Sequence, residues 1–99
     1  MAKLPPEVLE VIEAAPGPFS YHAQLDAICF DLYWEDVIEV ARTGDDWKRE
    51  KDDHYEAVDG WKDSIIGRDT HGRKLYLAGK KVYFYGELLW YVITFHEAK

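Results

Sequence analysis

A lone cysteine, Cys29, excludes any internal disulfide and any paired-cysteine metal site. It falls at a helical core spacing, which predicts a buried and inert thiol. No apolar run approaches the roughly 18 residues that a membrane span requires. The opening residues Met1-Ala2-Lys3-Leu4-Pro5-Pro6 lack the apolar stretch of a secretory signal, so the expected location is cytoplasmic, with no membrane partner. The chain has no HExxH motif, calcium-loop spacing, nucleophile elbow or phosphate-loop glycines. Those absences argue against a zinc hydrolase, a calcium site, a serine hydrolase and an NTPase, and no metal or cofactor is expected. Internal repeats and low-complexity segments are absent as well.

Cations are scarce in the first half. Residues 1–44 hold two, Lys3 and Arg42, against eight acidic residues, a net of −6. The whole chain carries −7, which disfavours a general nucleic-acid binder, because phosphate neutralisation drives such binding. Residues 61–85 reverse the sign: Lys62, Arg68, Arg73, Lys74, Lys80 and Lys81 oppose Asp63 and Asp69, a net of +4. The pattern fits a local basic surface on an acidic body, or simply the solvated side of a sheet.

What is present is a globular composition: 99 residues, 47 % hydrophobic, 15 % aromatic and 31 % charged. That is enough for one domain, residues 1–99, and too little for two independent cores. Apolar residues at helical spacing predict a helix over Leu4–Ala15, ended by Pro16-Gly17-Pro18. Ser20 is a candidate N-cap for a second helix with Tyr21, Leu25, Ile28, Cys29 and Leu32 on its core face. Trp34, Val37, Ile38 and Ala41 define a third, closed by Thr43-Gly44. Asp45–His54 is charge-dense and reads largely as an exposed loop, with a short strand around Trp47 as the one exception. Three strands then follow, Trp61–Arg68, Arg73–Tyr85 and Leu88–His96, with turns at Asp69–Gly72 and Gly86-Glu87. Helices followed by strands define an α+β class, with N-terminal helices packed on a C-terminal antiparallel sheet.

Alternation sorts the strand faces. Leu89, Tyr91, Ile93 and Phe95 are expected to face the helices, with Leu75, Leu77, Trp61 and Ile65. Asp63 then points inward, and Gly79 marks a candidate bulge. Lys62, Ser64, Arg68, Lys74, Tyr76, Thr94 and His96 are left on the other face. Those residue types suit metal-free RNA cleavage, which needs a base for the 2′-hydroxyl, cations for the phosphorane and an acid for the departing 5′-oxygen. His96 is the candidate acid or base, because an imidazole can give or take a proton, with Lys62, Arg68, Lys74 and Arg73 as phosphate-binding candidates. Tyr76 would orient a phosphate oxygen or stack a base. The plainer alternative is an edge histidine on a solvated face. His22 and His71 read as solvated or structural, and His54, following Asp52-Asp53, suggests a metal that no ligand spacing supports.

His22-Ala23-Gln24 through Asp36-Val37-Ile38, then Gly44, resembles the helical half of a small uncharacterised-domain family often encoded beside YgiT-type zinc-finger antitoxins. Trp61-Lys62-Asp63, Lys74-Leu75-Tyr76-Leu77 and the stretch from Val92 to Lys99 resemble the MqsR toxin in order and spacing. The resemblance implies a RelE-like fold, an endoribonuclease that cleaves mRNA, and a cognate antitoxin of zinc-finger type as partner. It places the family's middle-strand tyrosine at Tyr76, its last-strand lysine at His96, and an upstream lysine at Lys48 or Lys51. Lys62 stands where the family has glutamine, and the acidic body departs from the basic character of RelE-type toxins. The alternatives are a non-catalytic protein-interaction module of the same fold, for which the acidic first half would suit a basic partner, and an unrelated small-molecule binder. The β-propensity of Lys81–Phe95 would also support an edge-to-edge homodimer.

Overall fold

The structure, a computed structural model, describes residues 2–98. Met1 and Lys99, the ends of the expected domain, lie outside the described residues. Three helices precede four strands: α1 (Pro6–Ala14), α2 (Tyr21–Phe30), α3 (Trp34–Thr43), β1 (Lys48–Lys51), β2 (Trp61–Arg68), β3 (Lys74–Phe84) and β4 (Glu87–Glu97). The strands form one antiparallel sheet in the order β1-β2-β3-β4, so the α+β class is as expected. No helix among the described residues is long and apolar enough to cross a membrane.

The core lies between the helices and one face of the sheet. Val8 and Ile12 of α1 and Val37, Val40 and Ala41 of α3 pack with Ile65, Leu75, Leu77, Trp90, Val92 and Phe95. Trp34 Nε1 donates to the Ile12 carbonyl at 3.0 Å, tying α3 to α1. Asp63 does point inward, and it is satisfied there: Trp47 Nε1 and Arg49 Nε donate to it at 2.8 and 2.9 Å. The guanidinium of Arg49 also lies between the Trp47 and Trp61 rings, leaving Trp61 at the sheet margin, 41 % exposed rather than in the core.

Three further expectations need correction. The short strand expected around Trp47 is present but starts one residue later and runs Lys48–Lys51, pairing with β2 as a charged edge strand whose bounds apolar alternation cannot place, because it is made of Lys, Arg and Glu. The core face of α2 is inverted. Ala23 is buried and Ala27 half-buried, whereas Tyr21, Leu25, Ile28 and Cys29 are exposed; of the residues expected to be inside, only Leu32 is. Ser20 sets this rotation: its N–H donates to the Val92 carbonyl, its hydroxyl donates to the Ile93 carbonyl at 2.6 Å, and it caps the helix by accepting from Ala23 N–H. Small alanines then let the helix approach β4 closely.

The third correction concerns β4. Ala78 pairs with Thr94 but Gly79 pairs with Val92, so Ile93 is an extra residue, a bulge opposite the Ala78-Gly79 step. The bulge reverses the alternation. Phe95 faces the helices as expected, but on its other side Trp90 and Val92 are the buried pair, while Tyr91 and Ile93 are half-buried on the opposite face. Gly79 makes room for this, since a Cβ there would stand 2.6 Å from Trp90 Cη2.

The outer edge of β4 is itself occupied at one point. Val92 N–H donates to the Pro18 carbonyl and Ser20 N–H to the Val92 carbonyl, so an edge-to-edge homodimer would have to displace this segment.

Candidate functional site

The face of the sheet turned away from the helices is built in rows set by the pairing. One row runs Lys48, Ser64, Ala78, Thr94. The next runs Ile66, Tyr76, His96, and the one beyond it holds Arg68 beside Lys74. On the other side lies Glu50, Lys62, Lys80, Tyr91. Small side chains in the first row leave a hollow of about 160 Å³ bounded by Lys48, Lys62, Tyr76 and Ile93. A second hollow, about 240 Å³, adjoins it across Lys62 and Ile93 and reaches His54, Glu56 and Lys80.

The candidates Lys48, Lys62, Arg68, Lys74, Tyr76 and His96 therefore share one face, and Arg73 does not. Tyr76 and His96 are cross-strand neighbours with stacked rings, centroids 5.4 Å apart and planes inclined by 28°. His96 Nδ1 lies 2.8 Å from the Glu97 carbonyl oxygen. A carbonyl can only accept, so that contact puts the proton on Nδ1 and leaves Nε2 as the basic nitrogen.

Arg73 is engaged elsewhere. Its Nε donates to Asp69 at 2.6 Å and its Nη1 to the Phe30 carbonyl at 2.9 Å, clamping the β2–β3 turn to the end of α2. Asp69 also accepts from the N–H groups of His71 and Arg73. Burial works against its charge, but these donors hold its carboxyl below the usual aspartate value.

Asp36, Asp69 and His71 bring ligand-type atoms within 4.8 Å of one another. Both carboxylates are already used. Asp36 accepts from Tyr33 N–H and from the N–H and hydroxyl of Thr70, so the cluster is a fastening of the turn onto α3.

A buried ion cluster on the sheet's open face has no counterpart in the sequence expectations. Lys80 is 2 % exposed, and its ammonium donates to both oxygens of Asp52 at 3.3 Å and to Glu56 at 2.7 Å. Asp52, also 2 % exposed, accepts from the N–H groups of His54, Glu56 and Ala57. Burial alone would raise the Asp52 pKa; the three backbone donors and Lys80 overcome it and hold the carboxyl at about 2. Burial lowers the Lys80 pKa, and Glu56 and Asp52 more than restore it, leaving it above the ordinary lysine value. The cluster pins the segment from Asp52 to Gly60 over one end of the face, where Asp53 also lies 3.7 Å from Lys62. The one sequence signal was a lysine at an outward position inside the apolar run of β3.

The face is thus cationic in its strands and flanked by acids. Glu50 is the only acidic residue among the outward strand positions in these rows. The acidic segment 52–56 covers one end, and Asp45 and Asp46 stand with Arg68 and Lys74 around a hollow of about 450 Å³ at the other. Comparison with models of protein families, with curated proteins and with solved structures found no match.

Proposed function

We propose that the open face of the sheet binds and cleaves RNA, and that the chain is the toxin of a toxin–antitoxin pair. The observation that carries this reading is the Tyr76–His96 stack, set beside the Ser64-Ala78-Thr94 floor with Lys48 and Lys62 on one side and Arg68 and Lys74 on the other. Aromatic faces and flanking cations are what single-stranded nucleic acid engages.

The chemistry is transesterification. A base removes the 2′-hydroxyl proton, the 2′-oxygen attacks phosphorus, the bond to the 5′-oxygen breaks, and an acid protonates the leaving oxygen. The products are a 2′,3′-cyclic phosphate and a 5′-hydroxyl. His96 Nε2 transfers a proton in this sequence, while the Nδ1–H bond to the Glu97 carbonyl fixes the ring. Lys62 stabilises charge on the phosphorane, and Tyr76 orients the phosphate or stacks a base. Lys48, Arg68 and Lys74 hold neighbouring phosphates. The acidic groups at both ends confine the strand to this track and disfavour indiscriminate binding to duplexes.

Induced expression tests the biological half of the reading. The native chain arrests growth, and His96→Ala, produced at equal level and folded, relieves the arrest. Co-expression of the cognate antitoxin also relieves it. Harmless accumulation of the folded native chain would count against the toxin reading and favour a non-catalytic interaction module.

A further inference from the structure

Helix α2 is apolar on two sides, and the fold uses one. Ala23 and Ala27 face β4, while Tyr21, Leu25, Ile28 and Cys29 form an outward stripe at i, i+4, i+7 and i+8, with Ile28 78 % and Tyr21 72 % exposed. Beyond the helix end the stripe continues into Tyr33, 60 % exposed, beside a hollow of about 270 Å³ formed with Ala27, Ile28 and Leu32. Clustered apolar exposure of this kind marks an interaction surface.

Charge identifies the occupant. Residues 4–41 contain no lysine or arginine. Asp26 lies on α2 next to Leu25, Asp31 lines the hollow, Glu35 is exposed two residues beyond Tyr33, and the C-terminal end of α2 adds the negative pole of its backbone dipole. The Arg73 guanidinium, which reaches the end of α2, is committed to Asp69 and the Phe30 carbonyl. A second copy of this chain docking face to face would set these acids against their own images with no cation to answer them.

We infer that this face of α2 docks a partner protein through an amphipathic helix that is apolar on one side and flanked by lysine or arginine. The apolar side of that helix packs on Leu25 and Ile28 and sends a side chain into the hollow beside Tyr33. Its cations meet Asp26, Asp31 and Glu35. The surface lies on the helical side of the sheet, away from the Tyr76–His96 face, and the inference does not rest on RNA cleavage.

The test uses two labelled synthetic helices with the same leucine face, one flanked by lysine and one by glutamate, titrated against the native chain by fluorescence anisotropy. The Leu/Lys helix binds, and the Leu/Glu helix binds at least about tenfold more weakly. Ile28→Glu and Leu25→Glu, with unchanged thermal unfolding, each weaken the Leu/Lys helix by at least about tenfold although they add negative charge. If those variants bind it equally or more tightly, the attraction is one of net charge and the proposed docking is wrong. Absence of binding by either helix also overturns it. So does a native dimer in sedimentation that Ile28→Glu dissociates, because the occupant would then be a second copy.

Discussion

Removing the charge of Asp52 tests the physical account of the sheet's open face. Asp52→Asn keeps the shape but turns one acceptor oxygen into an N–H₂ group. In the native chain one oxygen accepts from His54 N–H, the other from the N–H groups of Glu56 and Ala57, and Lys80 donates to both. Whichever way the amide turns, a donor meets a donor, and the Lys80 ammonium, 2 % exposed, keeps only Glu56 as a charged partner. Breaking a buried pair in this way costs about 3–5 kcal/mol at neutral pH, a large share of a small domain's stability. Acidification gives a second measure. The folded-state pKa of Asp52, about 2, lies below its ordinary 3.8. Its contribution is therefore complete above about pH 4 and disappears as pH falls through 2, an effect of about 2 kcal/mol. Urea unfolding of the native chain and of Asp52→Asn at pH 7, 4 and 2.5 measures both effects. The variant is less stable at pH 7, and the gap narrows as acid removes the native advantage. A variant within about 0.5 kcal/mol of native at every pH would refute the reasoning, because that is the scale of an ordinary surface change.

Ser20→Ala removes the N-cap of α2 and the donor to the Ile93 carbonyl, and is expected to cost about 1–2 kcal/mol in urea unfolding. Tyr85 has φ 51 in the Tyr85-Gly86 turn and is 93 % exposed, so Tyr85→Asn should stabilise the hairpin by about 0.5–1 kcal/mol. A rise of about 3–6 °C in melting temperature would register that gain. Gly79→Ala places a methyl 2.6 Å from Trp90 Cη2, in a core with no room for it, and should destabilise by about 2 kcal/mol or more in the same assay.

Much of the architecture is legible because it rests on local chemistry. Pro16-Gly17-Pro18, the Ser20 cap and the apolar spacing of Trp34, Val37, Ile38 and Ala41 mark the helices. Alternation and turn residues mark the three longer strands, and parity puts Lys62, Arg68, Lys74, Tyr76 and His96 together. What alternation cannot register is an inserted residue. Ile93 adds one position to β4, so Tyr91 and Ile93 exchange places with Trp90 and Val92, while Phe95 beyond the bulge keeps its expected side. Periodicity also fails for α2, where both sides are apolar and tertiary contacts through Ser20 choose between them; Cys29 is exposed for that reason. The short strand expected near Trp47 is there, but Lys48–Lys51 has no apolar residue to fix its bounds. The Lys80–Asp52–Glu56 cluster joins residues 24 and 28 positions apart, and nothing local in either segment announces the other.

The most direct measurement is cleavage of end-labelled single-stranded RNA by the purified chain in EDTA, with the products' ends identified. The account predicts fragments ending in a 2′,3′-cyclic phosphate and a 5′-hydroxyl. His96→Ala lowers the rate by at least about 100-fold while leaving the unfolding curve unchanged. RNA left intact by the folded native chain would contradict the central claim, as would cleavage at the same rate by native and His96→Ala proteins.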